Sequence, residues 1–455
     1  MDNKYLSVYE KQKKYFLTKE TYNYAFRKQM LLTLQQMLIK NEKAIMDALY
    51  LDLGKSNYET YMTELGLVLN DINFAIKHLK KWMKPKRVKT NLSNFPSKSM
   101  IYHDPYGVCL IMSPWNYPVN LAFEPLIGAI AGGNTCIIKM SEYSTNTSVL
   151  LEKLFNETFD EKYIKAYHGD VIETTEILKL PFDFIFFTGS EKVGKIVMSS
   201  AASHLTKVVL ELGGKSPTIV DDNVNIELVT KRIAFGKIIN AGQTCVAPDY
   251  IYVHENIKPQ FINALIKEIK LMLGSNPLTN PDYPKIINER HYQRILSLID
   301  QSKVIYGGKG CNLRIEPTIM DNVTYDDAVM QEEIFGPIFP IMSFKDIDEI
   351  ISEIECHPKP LALYLFSNNK EIKKKILKMR FGGGCINDTL MHLSSETLPF
   401  GGVNNSGMGS YHGKYSFSTF TREKGVLSKS THIDIKLRYH PYNEKKQKIV
   451  RKILK

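Results

Sequence analysis

FDFIFFTGSEKVGK, residues 182–195, decides the fold. An apolar run ends at Thr188-Gly189, and from about Lys192 the spacing turns helical. Strand, tight turn and helix start together form a geometry that can present backbone N–H groups to a pyrophosphate. Two phosphate motifs come close and neither is satisfied. Ile196 stands where a Walker loop needs Ser or Thr, and Glu191 stands where a GxGxxG fingerprint needs glycine. Nucleoside triphosphate chemistry is thereby disfavoured, and taken alone the stretch fits a plain strand-to-helix turn better than a dinucleotide site.

The same alternation continues on both sides. Upstream lie the strand-like GVCLIMS (107–113), TCIIK (135–139) and Tyr163 to Tyr167, separated by helices near Phe123 to Ala131 and Thr147 to Thr158. Downstream come a helix from Lys192 to Ser200 and the strand KVVLEL (207–212). From Pro217 to Asn387 the pattern repeats, with strands at SPTIV, YIYVH, KVIYG, IFPIM, LALYLF and CIN and helices at Ile226 to Ile239, Pro259 to Leu273, Arg290 to Gln301 and Ile347 to Ile354. Short β-rich runs alternating with helices are the mark of a parallel sheet covered on its faces, so two α/β units are expected, the first doubly wound. Ahead of them the apolar rhythm predicts a helix from about Phe26 to Leu53, stopped by Gly54, and another from Tyr61 to Met83, stopped by Pro85.

Composition narrows the class of protein. A chain of 455 residues with 44 % hydrophobic and 24 % charged residues is ordinary for a folded protein and holds about three domains. The net charge of +11 is concentrated: Lys77 to Lys98 carries +8, Lys436 to Lys455 carries +7, and the remaining 413 residues sum to −4. No nucleic-acid-binding motif accompanies these clusters, which read as local arms or solvated faces. Six cysteines without a CxxC pair fit a reducing, cytoplasmic setting, no membrane span is legible, and no histidine spacing calls for a metal.

Three short stretches carry candidate chemistry. Cys245 lies in NAGQTCVAPDY, where Asn240, Gly242, Gln243 and Thr244 leave the sulfur accessible and offer hydrogen bonds to a developing oxyanion. A thiol is a weak nucleophile without help. Glu211, at the end of a β-run and just before Gly213-Gly214, is the candidate base, although a surface glutamate before a turn has the same spacing. Asn116 sits between Pro114 and Pro118, which restrict the backbone on either side so that its amide can be aimed; a rigid turn would look alike.

PWNYP, IIKMSE, FTGSEKVG, LELGGKSP, NAGQTCVAPDY, QEEIFGP and PFGGVNNSGMG follow one another in an order that resembles the aldehyde dehydrogenase superfamily from about Phe26 to Phe420. GQTCVAPDY, INDTLMH and GMGSYHGKYSF are similar to its class 3 branch. The resemblance implies an aldehyde dehydrogenase-like α/β fold: a Rossmann-type NAD(P)-binding domain (1–81 and 101–210), a catalytic domain (211–390), bridging or oligomerisation segments (82–100 and 391–440) and a basic tail (441–455). It further implies oxidation of a medium- or long-chain, polyene or aromatic aldehyde to the free acid, with NAD or NADP as cofactor and a homodimer as the assembly. Cys245 then matches the nucleophile, Asn116 the oxyanion donor and Glu211 the hydrolytic base. Lys139 and Glu142 match the adenosine ribose pair. Thr188, Gly189, Ser190 and Gly194 match the pyrophosphate turn, and Glu333 and Phe335 the nicotinamide ribose contacts.

Two positions depart from the family's pattern: Met140 where proline is usual, bearing on cofactor preference, and Asn404-Asn405 in the late glycine-rich loop, expected to matter for domain contact more than chemistry. A coenzyme A-acylating dehydrogenase is the alternative within the fold, but it has no use for Glu211. A non-catalytic homologue held at a membrane surface by the tail is the alternative outside it. Peripheral membrane contact through EKKQKIVRKILK stays an expectation, because Ile449, Val450, Ile453 and Leu454 recur among six basic residues.

Overall fold

The computed structural model describes residues 4–454. In the first sheet the strands lie in the order Gly407–Met408, Lys207–Glu211, Phe184–Thr188, Val108–Met112, Thr135–Lys139 and Ile164–Tyr167. All are parallel except Gly407–Met408, which runs antiparallel along Glu211 and Leu210. Val108–Met112, Thr135–Lys139 and Phe184–Thr188 are buried at every position, as a parallel sheet covered on both faces requires. The strand order reverses between Val108–Met112 and Phe184–Thr188. Ligands of such sheets bind in the crevice at that reversal, beyond the carboxyl ends of the strands, and both PWNYP and Gly189-Ser190 emerge there.

The second sheet has seven strands in the order Val304–Tyr306, Thr318–Met320, Ile338–Phe344, Tyr250–His254, Pro217–Val220, Ala362–Phe366 and Gly383–Ile386, with only the first antiparallel. A three-stranded antiparallel sheet joins Lys86–Val88, Ser97–Pro105 and Thr421–Lys429, the last two pairing over nine residues. One apolar core runs through both large sheets, and a second fills the opposite face of the first sheet, where Lys4–Leu17, Val171–Leu178 and Glu191–Ala202 cover Leu110, Ile137, Ile185 and Leu210.

The N-terminal region differs from its periodic reading. The expected helix from Phe26 to Leu53 is two helices, Tyr24–Lys40 and Glu42–Leu53, broken at Asn41, whose side chain donates to the Met37 carbonyl at 2.8 Å and so competes with the helical ladder. The next expected helix starts with Asn57–Thr60, passes through a π-helical turn at Tyr61–Leu65, and continues as Gly66–Trp82. A further helix, Lys4–Leu17, was hidden by its polarity. Tyr5, Val8, Tyr9 and Gln12 face inward, and Gln12 Nε2 donates to the Cys136 carbonyl at 2.8 Å. The basic tail forms the helix Glu444–Ile453, capped by Asn443 and with no buried residue. Among the described residues no helix is long and apolar enough to cross a membrane.

Candidate active site

Cys245 lies where two cavities meet. A polar cleft of about 890 Å³ runs along the crevice of the first sheet and is lined by Asn116, Thr188, Gly189, Ser190, Glu211, Cys245, Glu333 and Phe335, among others. A mainly apolar tunnel of about 270 Å³, walled by Leu67, Phe235, Ile239, Leu390, Leu393 and Phe400, reaches the same cysteine from the other side. Eight of the eleven residues singled out in the sequence therefore gather around one cleft.

Three do not line it: Gly194, Lys139 and Glu142. Gly194 packs its helix onto the sheet, since a Cβ there would stand 2.7 Å from the Leu212 side chain. Lys139 ends its strand buried, with Nζ donating to the Met140 carbonyl at 2.7 Å. Burial holds the Lys139 pKa below the usual lysine range, against the opposing pull of Glu142, Glu173 and Asp170. Within the turn itself, the Gly189 N–H donates to the Glu211 carbonyl at 3.0 Å and Ser190 caps the helix Glu191–Ala202. Asn405, expected to serve domain contact, also lines the cleft and donates to Glu191 at 3.2 Å.

The cysteine loop is held in an unusual backbone conformation. Asn240, Ala241 and Gly242 all have positive φ (50°, 51° and 75°), which costs roughly 1–2 kcal/mol at each non-glycine residue. Side-chain bonds offset that cost. Asn240 Nδ2 donates to the Asn116 and Gln243 carbonyls at 2.9 and 3.0 Å, and the Asn240 N–H donates to Glu59 Oε1 at 2.8 Å. Gln243 is anchored to Asn240, Lys285 and Ile287, while the Tyr117 and Thr244 hydroxyls share a 2.6 Å bond. The side-chain donors of Asn240, Gln243 and Thr244, expected from the sequence to serve an oxyanion, are thus engaged in holding the loop. Tyr364, from the second sheet, adds a 2.6 Å bond to the Val246 carbonyl.

Burial disfavours the charged form of each acidic group at the site. Burial pushes the Cys245 thiol up, and the Glu333 and Glu211 carboxyls push it further. Glu211 is 2 % exposed, neither of its carboxyl oxygens has a hydrogen-bond partner, and burial raises its pKa well above the usual carboxylate range. Glu333 is raised to about 8, chiefly by burial, and its Oε1 is also unpartnered. Asn116, 3 % exposed, donates one amide hydrogen to the Gln243 carbonyl at 3.0 Å and keeps the other.

Sequence reasoning missed Lys55, Glu59, Glu64 and Tyr364. Each is far from the motifs in sequence, and each reaches the site through backbone atoms of Asn116, Val119, Asn120, Asn240 or Val246. Nothing in their local spacing distinguishes them.

A sheet reversal lined by unpartnered carboxyl oxygens and a helix start, opening onto a half-buried thiol and an apolar tunnel, defines a dinucleotide-dependent oxidoreductase. The chain belongs to the aldehyde dehydrogenase family, whose pattern residues 5–426 match. It is 51 % identical over 438 residues, 95 % of each chain, to the 4,4'-diaponeurosporen-aldehyde dehydrogenase of Staphylococcus aureus (strain NCTC 8325 / PS 47). It is 43 % identical over 447 residues to aldehyde dehydrogenase family 3 member B3 of Mus musculus, covering 97 % of this chain and 93 % of that one. A solved structure described as the substrate-bound state of Staphylococcus aureus AldH superposes with a TM-score of 0.97 at 49 % identity, covering both chains fully. The protein is an NAD(P)-dependent enzyme that oxidises aldehydes to acids.

Proposed function

We propose that the aldehyde enters through the apolar tunnel and is oxidised at Cys245. The observation that carries this reading is that Cys245 is a wall residue of both the cleft and the tunnel. The thiol proton passes to water in the open cleft, the sulfur attacks the carbonyl carbon, and the carbonyl oxygen becomes the oxyanion of a thiohemiacetal. The free N–H of Asn116 and the backbone N–H of Cys245 hold that oxyanion. The bound dinucleotide supplies the hydride acceptor. With the hydride gone, the carbon is a thioester on Cys245. Glu211 then takes a proton from water as the water oxygen attacks, and collapse releases the acid while that proton passes from Glu211 to the departing sulfur, restoring both thiol and base.

The cleft fits NAD or NADP on its own terms. Glu211 and the half-buried Glu333 present unpartnered oxygens that can accept from ribose hydroxyls, and a helix start offers N–H donors, as a pyrophosphate requires. Thr188, Ser190 and the first turn of Glu191–Ala202 would hold the pyrophosphate, Glu333 and Phe335 the nicotinamide ribose, and Lys139 with Glu142 the adenosine ribose. Gly189 shapes the turn, and Gly194 lets the helix approach.

The tunnel's aliphatic and aromatic walls favour medium- or long-chain, polyene or aromatic aldehydes. The aldehyde named for the Staphylococcus aureus relative is the first to test. We assign residues 1–81 and 101–210 to the cofactor domain, 211–390 to the catalytic domain and 82–100 with 391–440 to bridging segments of a homodimer. The exposed basic helix Glu444–Ile453, in a cytoplasmic enzyme, would rest on an anionic membrane surface.

Cys245→Ala tests the core of the proposal. Turnover should fall at least a hundredfold while dinucleotide affinity is retained. Retention of more than about one hundredth of the activity would exclude Cys245 as the nucleophile.

A further inference from the structure

One buried ion pair takes no direct part in the chemistry above. Lys55 Nζ and Glu64 Oε1 are 2.7 Å apart, and both side chains are wholly inaccessible to solvent. Taking two charges out of water usually costs more than their attraction returns, so such a pair alone is weak evidence for a stabilising role. What else the two groups touch is more telling. Lys55 Nζ donates a second bond, of 3.0 Å, to the Asn116 carbonyl and stands 4.0 Å from the centre of the Tyr117 ring. Glu64 Oε2 accepts from the backbone N–H groups of Val119 and Asn120, at 2.9 and 3.1 Å, where the helix Asn120–Gly132 begins. Glu64 also belongs to the π-helical turn Tyr61–Leu65, an insertion that interrupts regular helix packing and recurs at functional sites. The pair therefore grips both ends of the short loop that carries Asn116, and neither residue lines the cleft or the tunnel.

We infer that Lys55 and Glu64 are positioning residues for the oxyanion donor. Fixed at its own carbonyl and at the N–H groups three and four residues on, Asn116 keeps its free amide hydrogen aimed at the cleft. A donor that need not reorient as negative charge develops is worth far more than a mobile one. Ionic bonds in a dry interior resist the swing that neutral ones would allow. The inference rests on Asn116 being the oxyanion donor, and the test separates the two ideas.

Glu64→Gln and Asn116→Ala are made singly and together. Four quantities are measured on each protein: the first-turnover rate of cofactor reduction with a short aldehyde, dinucleotide affinity, the rate of Cys245 alkylation by iodoacetamide, and thermal stability. Alkylation needs the thiol but creates no oxyanion. Glu64→Gln should slow the first turnover about 10- to 100-fold in the otherwise native enzyme but less than about threefold in the Asn116→Ala background. Alkylation and dinucleotide affinity should stay within about threefold of the native values throughout. Equal losses in both backgrounds, no loss in the native one, or a parallel fall in alkylation would overturn the inference. If Asn116→Ala alone keeps the native first-turnover rate, the donor assignment falls and takes this inference with it. Should Glu64→Gln fail to fold, Lys55→Arg preserves both charges while changing the donor's shape, and the same cycle applies.

Discussion

Replacing Glu211 by glutamine separates the two halves of the reaction. The side chain is 2 % exposed, its carboxyl oxygens bond to nothing, and its backbone is held on both sides by Thr188 and Gly407. An amide of the same shape therefore disturbs no existing side-chain bond. Removing a general base costs about 10²- to 10⁴-fold, or about 3–5 kcal/mol on the step it serves. Only hydrolysis of the thioester should pay it. Rapid mixing should show a full first-turnover burst of reduced cofactor, then a steady state slowed by that factor. In the native enzyme the steady rate should climb as pH rises and Glu211 ionises, and in the variant that dependence should vanish. Stability moves the other way. Burial raises the Glu211 pKa, so its contribution to folding is complete below the unfolded-state value and is lost as pH rises through the folded-state value. The variant's melting temperature should accordingly gain on the native one toward alkaline pH, which rules out unfolding as the source of lost turnover. Disappearance of the burst together with the steady state would place Glu211 before hydride transfer and refute the reasoning.

Two glycines beside the site should respond differently to alanine. At Gly242, φ is +75° and a Cβ would stand 2.3 Å from the Gly336 carbonyl oxygen, so urea unfolding should show a loss of about 2 kcal/mol or more. At Gly213 the clash, 2.0 Å, is with the mobile end of Glu333; stability should change by less than about 1 kcal/mol while the KM for the dinucleotide rises. The carboxylates of Glu142, Asp170 and Glu173 near Lys139 should disfavour a 2′-phosphate, and Glu142→Gln should narrow the NAD-over-NADP ratio of kcat/KM roughly tenfold. Deleting the residues after Tyr442 should abolish sedimentation with anionic liposomes and lower activity on long aldehydes more than on short ones; equal binding by the truncated enzyme would remove the tail's delivery role.

The parallel sheets were legible because buried strands such as Phe184–Thr188 are continuous apolar runs, and the helices between them are long enough to show their period. Glycine or proline near Cys245, Glu211 and Asn116 marked element ends without telling a site from a plain turn, and it was the order of the motifs that pointed to the one cleft the three residues line. Asn41 and the π-helical turn at Tyr61–Leu65 were not, since one side-chain bond or one inserted residue leaves the apolar rhythm intact. Helix Lys4–Leu17 escaped for the opposite reason: it buries one narrow stripe through tyrosines and a glutamine. Lys55 and Glu64 escaped because, beyond their bond to each other, they reach the site through backbone atoms more than fifty residues away.

The antiparallel pairing of Gly407–Met408 with Leu210 and Glu211 gives the enzyme a sense of time. Glu211 leaves the ribosome about two hundred residues before Gly407, and at roughly 5–20 residues per second that interval is on the order of 10–40 s. Through that interval the edge of the first sheet beside Glu211 lacks its last strand, and the Leu212 N–H waits for the Ser406 carbonyl that later accepts it. The strand that completes this edge thus emerges nearly two hundred residues after Glu211, so a chain released after Cys245 but before Gly407 keeps the thiol and lacks the strand that pairs with Glu211.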